Sequence, residues 1–276
     1  MSLASTPSAT SAMAETLEVF HADSLAGPMA ALKQAFEAHH PEISIHLTSG
    51  ASKQLAERIL NGETCDVYAS SSPVVVEQDL MKGSVKGAAQ RAASWYAIFS
   101  ANELVLIVRT GNPLEIRRIS DLAKPGLRFV RVTGEKDLAT GRTVEFVKRA
   151  TALEGNPDLA RNIISAAPDD PSRPVPVPAV VRAVLDGRAD AGIVYYSAAV
   201  AAGPGISIIR YPASVNMSEE IRNAISVPAT ARNPVAAEAF ARFLLEPEGR
   251  KILEATGQPP VIPAVRVGPA PASLRD

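Results

Sequence analysis

Short apolar runs alternate along the chain with longer stretches in which apolar residues recur every three or four positions. The runs at 17–20, 43–47, 66–70, 104–108, 128–132, 191–195, 206–210 and 224–228 are rich in Val, Ile and Leu and predict strands. Several are continuous, as expected of strands covered on both faces. Between them, Met29, Leu32, Ala35 and Phe36 fall on one helical face, as do Leu55, Ala56, Ile59 and Leu60. Asn61-Gly62 and Asp186-Gly187 read as helix stops, and Pro234 and Pro247 open helices predicted over 234–245 and 247–255. Strand and helix in alternation imply an α/β fold with mostly parallel sheets. The Pro-rich tail from Gly257 predicts extended chain wrapping the surface.

Four junctions share one design: an apolar run, a turn of small residues, then a helix. They are His21-Ala22-Asp23-Ser24, Thr48-Ser49-Gly50-Ala51-Ser52, the turn from Gly134 to a helix starting near Thr140, and Val177-Pro178. The first N–H groups of a helix lack partners within it, and its dipole is positive there, so a helix start is an anion site. Ser24, Ser52 and Thr140 could each be plain N-caps. Four such turns at strand ends favour a shared ligand, because ligands bind at the C-terminal edges of parallel strands. The proline run at 168–178 excludes helix and inner strand, and reads equally as a surface linker or as a stiff approach to the fourth helix.

Crossings at 99–103 and 211–216 divide the chain into a discontinuous lobe, 15–100 with 212–276, and an inserted lobe, 101–211. Two crossing strands make a hinge, and a cleft between hinged lobes is a ligand site. Residues 1–14, rich in Ser, Ala and Thr, read as a disordered leader or the remnant of a processed export signal.

Bulk composition narrows the function. With 276 residues the chain can bury two cores of ordinary size. A net charge of −1 and a single Trp argue against nucleic acid. One cysteine, Cys65, rules out an intramolecular disulfide. No run reaches the ~18 apolar residues of a membrane span. No nucleophile-elbow, zinc or phosphate-loop motif is intact: the turn at 134–143 has six residues between its glycines, and Arg142 where a phosphate loop needs Lys. His39 and His40 sit at a helix C-terminus, which favours cations.

Val19-Phe20-His21-Ala22-Asp23-Ser24-Leu25, Ser49-Gly50-Ala51-Ser52-Lys53-Gln54-Leu55-Ala56, Asp66-Val67-Tyr68-Ala69-Ser70 and Ala191-Gly192-Ile193-Val194-Tyr195-Tyr196-Ser197 resemble, in this order, the periplasmic molybdate-binding proteins of ABC importers. The resemblance runs from about Thr16 to Gly257. It implies a type II periplasmic binding protein: two α/β lobes, a two-strand hinge and a ligand in the cleft. It also implies a monomer without enzymatic activity or cofactor, which captures molybdate or tungstate in the periplasm and delivers it to an inner-membrane permease. The ligand-holding positions it implies are Ser24, Ser52, Thr140, Val177 and Tyr195, donating hydroxyl or backbone N–H groups, with no protein atom bound to the metal.

Molybdate carries no proton at neutral pH and only accepts hydrogen bonds, which suits such a donor set. A cavity without fixed acceptors would reject protonated phosphate, and sulfate, being smaller, would leave donors unfilled at about 1–3 kcal/mol each. A related archaeal group adds two carboxylates for six-fold coordination. The matching positions here are Leu138 and Val194, with Asp137 adjacent, so tetrahedral binding is expected. Asp23 is expected to cap the first helix, and Arg142 to be a solvated helix residue. Alternatives are another small anion (sulfate, phosphate or a carboxylate), a sensory ligand-binding module, or a hydrolase using Ser24 or Ser52 with His21 as base.

Overall fold

The computed structural model describes residues 15–134, 137–170 and 172–274; the leader expected at 1–14 lies outside them. The chain opens on β1 (Glu15–Ala22), α1 (Ala26–His39), β2 (Ile43–Gly50), α2 (Ser52–Leu60) and β3 (Val67–Ser70). After β4 (Tyr96–Ala101) it passes into β5 (Leu104–Arg109), β6 (Phe129–Arg131), α3 (Leu138–Leu153), α4 (Leu159–Ala166), α5 (Val177–Leu185), β7 (Ala191–Tyr195), α6 (Tyr196–Ala201) and β8 (Ile206–Ile209). It returns as β9 (Arg222–Ser226), α7 (Pro234–Leu245), α8 (Pro247–Ala255) and β10 (Pro260–Val267).

Two sheets result, ordered β10-β4-β9-β3-β1-β2 and β6-β7-β5-β8. Alternation along β1 shows how the first is buried. Leu17 and Val19 point into a core with Phe36 and Phe240, whose rings meet edge to face at 5.1 Å. Phe20 points to the opposite core, with Leu55, Ile59 and Tyr68. The second sheet has its own core, in which β5, β7, Phe146 and Val180 are buried.

The expectation of mostly parallel sheets is wrong. β1 pairs parallel with β2 and β3, and β6 with β7, but the other described ladders are antiparallel. β9 re-enters from the side that β4 leaves toward, so these two run in opposite directions. The Pro-rich tail is also more than a wrap. β10 is an edge strand, where proline costs no ladder bond, and its pairing with β4 is interrupted between Pro260 and Val265.

Candidate functional site

Residues from both sheets line two cavities along one seam. The first, of about 460 Å³, is bounded by Ser24, Gly27, Val177, Pro178, Leu185 and Ala198. The second, of about 490 Å³, is bounded by Ser49, Gly50, Gln54, Gly134, Asp137 and Pro176. Asp23 lines both. Pro174 and Pro176 belong to the second wall and lead into α5, and both are exposed.

Ser24 lies in the single turn Asp23–Leu25 that ends β1. It does not cap a helix. Its peptide is held from two directions: Ser197 Oγ donates to its carbonyl at 2.5 Å and Gln258 Nε2 at 3.2 Å. Its hydroxyl is buried and makes no hydrogen bond among the described residues. A buried donor without a partner is rare, and costs stability unless a ligand satisfies it.

Ser52 is the first residue of α2 and makes no capping bond either. Its Oγ accepts the Ser71 N–H at 3.1 Å and lies 3.1 Å from Ser71 Oγ, while Tyr68 OH donates to its carbonyl at 2.7 Å. Tyr195 ends β7 almost fully buried, and its hydroxyl accepts from Arg142 Nη1 at 2.8 Å. Burial pushes the Tyr195 phenol up, with the Arg142 charge opposing. Val177 is the first residue of α5, where N–H groups lack intrahelical partners.

Thr140 stands apart from these. Helix α3 starts two residues earlier than expected, at Leu138, because Asp137 is the cap and accepts the Ala139 N–H at 2.8 Å. The Thr140 hydroxyl donates to Gly134 O at 2.8 Å and its N–H to Asp137 O at 3.1 Å, so both serve the turn. Thus Ser24 and Val177 share a cavity wall, and Ser52 and Tyr195 are joined through Ser71 and Arg142.

Three side-chain expectations are overturned. Asp23 does not cap α1; its carboxylate accepts from Ser49 Oγ and ties the ends of β1 and β2. Arg142 is not solvated: it is half-buried and reaches from α3 to Ser71 O at 3.2 Å. The cleft is not free of acceptors either, since Asp23 and Asp137 both face the second cavity. Burial raises the Asp137 carboxyl, the Ala139 N–H lowers it, the nearby Asp23 raises it further, and the Arg142 charge lowers it. Leu138 packs against the Phe20–Tyr68 core and Val194 is buried, so neither position can offer a carboxylate.

A profile of bacterial extracellular solute-binding proteins matches residues 17–258. The chain belongs to that family. Its members bind solutes rather than turn them over. This solute-binding protein is 27% identical over 254 residues to the molybdate-binding protein ModA of Mycobacterium tuberculosis H37Rv, covering 92% of this chain and 88% of the relative. The fold is that of the periplasmic molybdate-binding protein of Azotobacter vinelandii, with a TM-score of 0.68 at 20% identity, covering 90% of this chain and 99% of the other. It is shared with the sulfate-binding protein SubI of M. tuberculosis, with a TM-score of 0.67 at 19% identity, covering 90% and 88%. Both likenesses agree with a two-sheet α/β fold. No described helix is long and apolar enough to cross a membrane.

His21 has a structural task in the solute-binding protein. Its ring is 3% exposed and Nδ1 donates to Ala22 O at 2.9 Å; no bond joins it to Ser24 or Ser52 among the described residues. Burial holds its pKa below the ordinary 6.5, against the Ala22 carbonyl and Asp23. The folded chain therefore binds this proton less readily than the unfolded chain. The stability is fully present above about pH 6.5 and falls as pH drops through that value toward the folded pKa. His21→Asn should flatten the dependence of unfolding free energy between about pH 7.5 and about pH 5. Denaturant titrations with the same pH slope in both proteins would assign that slope to other groups.

Proposed function

We propose that this protein captures a tetrahedral oxyanion, molybdate or tungstate, in the periplasm and delivers it to an ABC importer in the inner membrane. The observation that carries this reading is the buried, unsatisfied hydroxyl of Ser24 on the wall it shares with the start of α5. An anion with four accepting oxygens satisfies such a donor, and the α5 dipole favours it. Ser24, Ser52, Val177 and Tyr195 supply the cage. Thr140 stands beside it in the α3 turn, its hydroxyl and N–H both held by that turn. Apolar residues at Leu138 and Val194 favour four-fold over six-fold coordination.

Residues 15–100 with 212–276 act as one lobe and 101–211 as the other, and the monomer closes on the ligand by bending at the two crossings. Calorimetry with molybdate, tungstate, sulfate and phosphate tests the reading. Tight binding of the first two alone supports it, and silence from both overturns it. Phosphate is the serious competitor, because Asp23 and Asp137 offer acceptors for a protonated oxyanion.

Ser52→Ala and Tyr195→Phe should each weaken tungstate binding by about tenfold or more, the value of a hydrogen bond to a charged partner. Both variants should retain wild-type melting within a few degrees. Unchanged affinity in both would place the anion elsewhere.

A further inference from the structure

Helix α3 turns one face toward the first sheet. Leu138 and Arg142, four residues apart, share that face: Leu138 meets the Phe20–Tyr68 core and Arg142 reaches Ser71. Arg142 Nη1 donates to two neutral acceptors, the Tyr195 hydroxyl at 2.8 Å and the Ser71 carbonyl at 3.2 Å. Among the described residues no carboxylate forms an ion pair with it. Asp137, capping the same helix, acts on it only through space. A half-buried guanidinium hydrogen-bonded to neutral partners, at the junction of two anion-site residues, keeps a charge that no ion pair among the described residues neutralises.

We propose that Arg142 recognises the charge of the bound anion and makes the cleft prefer dianions to monoanions; this rests on the oxyanion reading above. The donor set implied by family resemblance is uncharged, so Arg142 adds a term that hydroxyls and N–H groups lack. Its Coulomb attraction doubles when the ligand charge doubles, whereas the geometry of four accepting oxygens stays the same. The guanidinium also polarises the Tyr195 hydroxyl. By filling a lone pair of that oxygen it leaves the phenolic proton free to donate to the anion, and strengthens that donation. Through Ser71, which contacts Ser52 Oγ, the same side chain joins two donors, Ser52 at the start of α2 and Tyr195 at the end of β7.

Tungstate and perrhenate separate charge from shape, since both are tetrahedral, of similar size, and differ by one unit of charge. Their affinities would be measured by calorimetry on the full chain, wild type, Arg142→Met and Arg142→Lys, at low and high salt. The wild type should prefer tungstate. Arg142→Met should weaken tungstate about tenfold or more and perrhenate less, shrinking the ratio and flattening the salt dependence. Arg142→Lys, which keeps the charge without the planar fork, should retain most of the ratio. A wild-type ratio preserved in Arg142→Met, with tungstate still bound, overturns the role of Arg142 alone. Equal weakening of both anions in Arg142→Met and Arg142→Lys also overturns it, because only a structural latch would then be lost. Failure of the wild type to bind either anion overturns the oxyanion reading and this proposal together.

Discussion

Ser24→Ala should weaken oxyanion binding by about tenfold to a hundredfold while leaving the ligand-free protein as stable as before, or more stable by up to about 1 kcal/mol. The opposite signs follow from one fact: the hydroxyl is buried without a partner among the described residues. Ser24 is 3% exposed, its carbonyl is held by Ser197 and Gln258, and Leu25 is fully buried beside it. The folded chain therefore carries a desolvated donor whose cost is repaid only when an acceptor arrives. Removing the hydroxyl removes the cost and the recompense together. Thermal melts without ligand, set beside calorimetry, read the two effects separately. Lower ligand-free stability with unaltered affinity would show that the hydroxyl serves the fold.

Gly192→Val should destabilise the protein by about 3 kcal/mol and lower its melting point by about 6 °C or more. Helix α5 packs directly on β7 at this residue. A Cβ there would stand 2.8 Å from Val180 Cγ1, 3.2 Å from Val184 Cγ2 and 3.4 Å from Ile107 Cγ1. The helix must move away from the sheet, and its first residue, Val177, moves with it. Binding should weaken along with stability, although Gly192 lies in the buried sheet and lines neither cavity. A valine accepted without loss of melting temperature would mean that α5 can slide freely on β7.

The sequence makes most of the frame legible. Continuous Val/Ile/Leu runs mark strands buried on both faces, and proline at the first turn marks α7 and α8 at their observed bounds. β4 escapes because Tyr96-Ala97-Ile98-Phe99-Ser100-Ala101 has neither a long apolar run nor strict alternation, and its pairing with β9 and β10 depends on residues far along the chain. β10 escapes because Pro260 and Pro263 argue against a strand except at an edge, and edge position is a tertiary fact. At α3, Asp137 and Thr140 are both able to cap, and the backbone chose the earlier one.

The candidate site is legible as types and turns, but not as partners. Ser24 and Ser52 look like ordinary caps, and only the folded chain shows that neither caps anything. Arg142 reads as a surface residue because the apolar face of α3 runs through Thr143, Phe146, Val147 and Ala150. Its spacing from Leu138 is the signal that could have found it, since a second, narrower apolar contact on that side implies a second packing partner.

The antiparallel pairing of β3 with β9 has a consequence for how the chain assembles. Tyr68 sits opposite Ser226, so everything from β4 to β8 must be spanned before this ladder can close. The sheet of β5 to β8 is built from contiguous chain and can form while the first sheet still lacks its later strands. Once formed, it holds β5 beside β8, with Leu106 opposite Ile209, and shortens the loop that β3 and β9 must close. A chain that forms its second sheet first thus has less loop to close when the first sheet is completed.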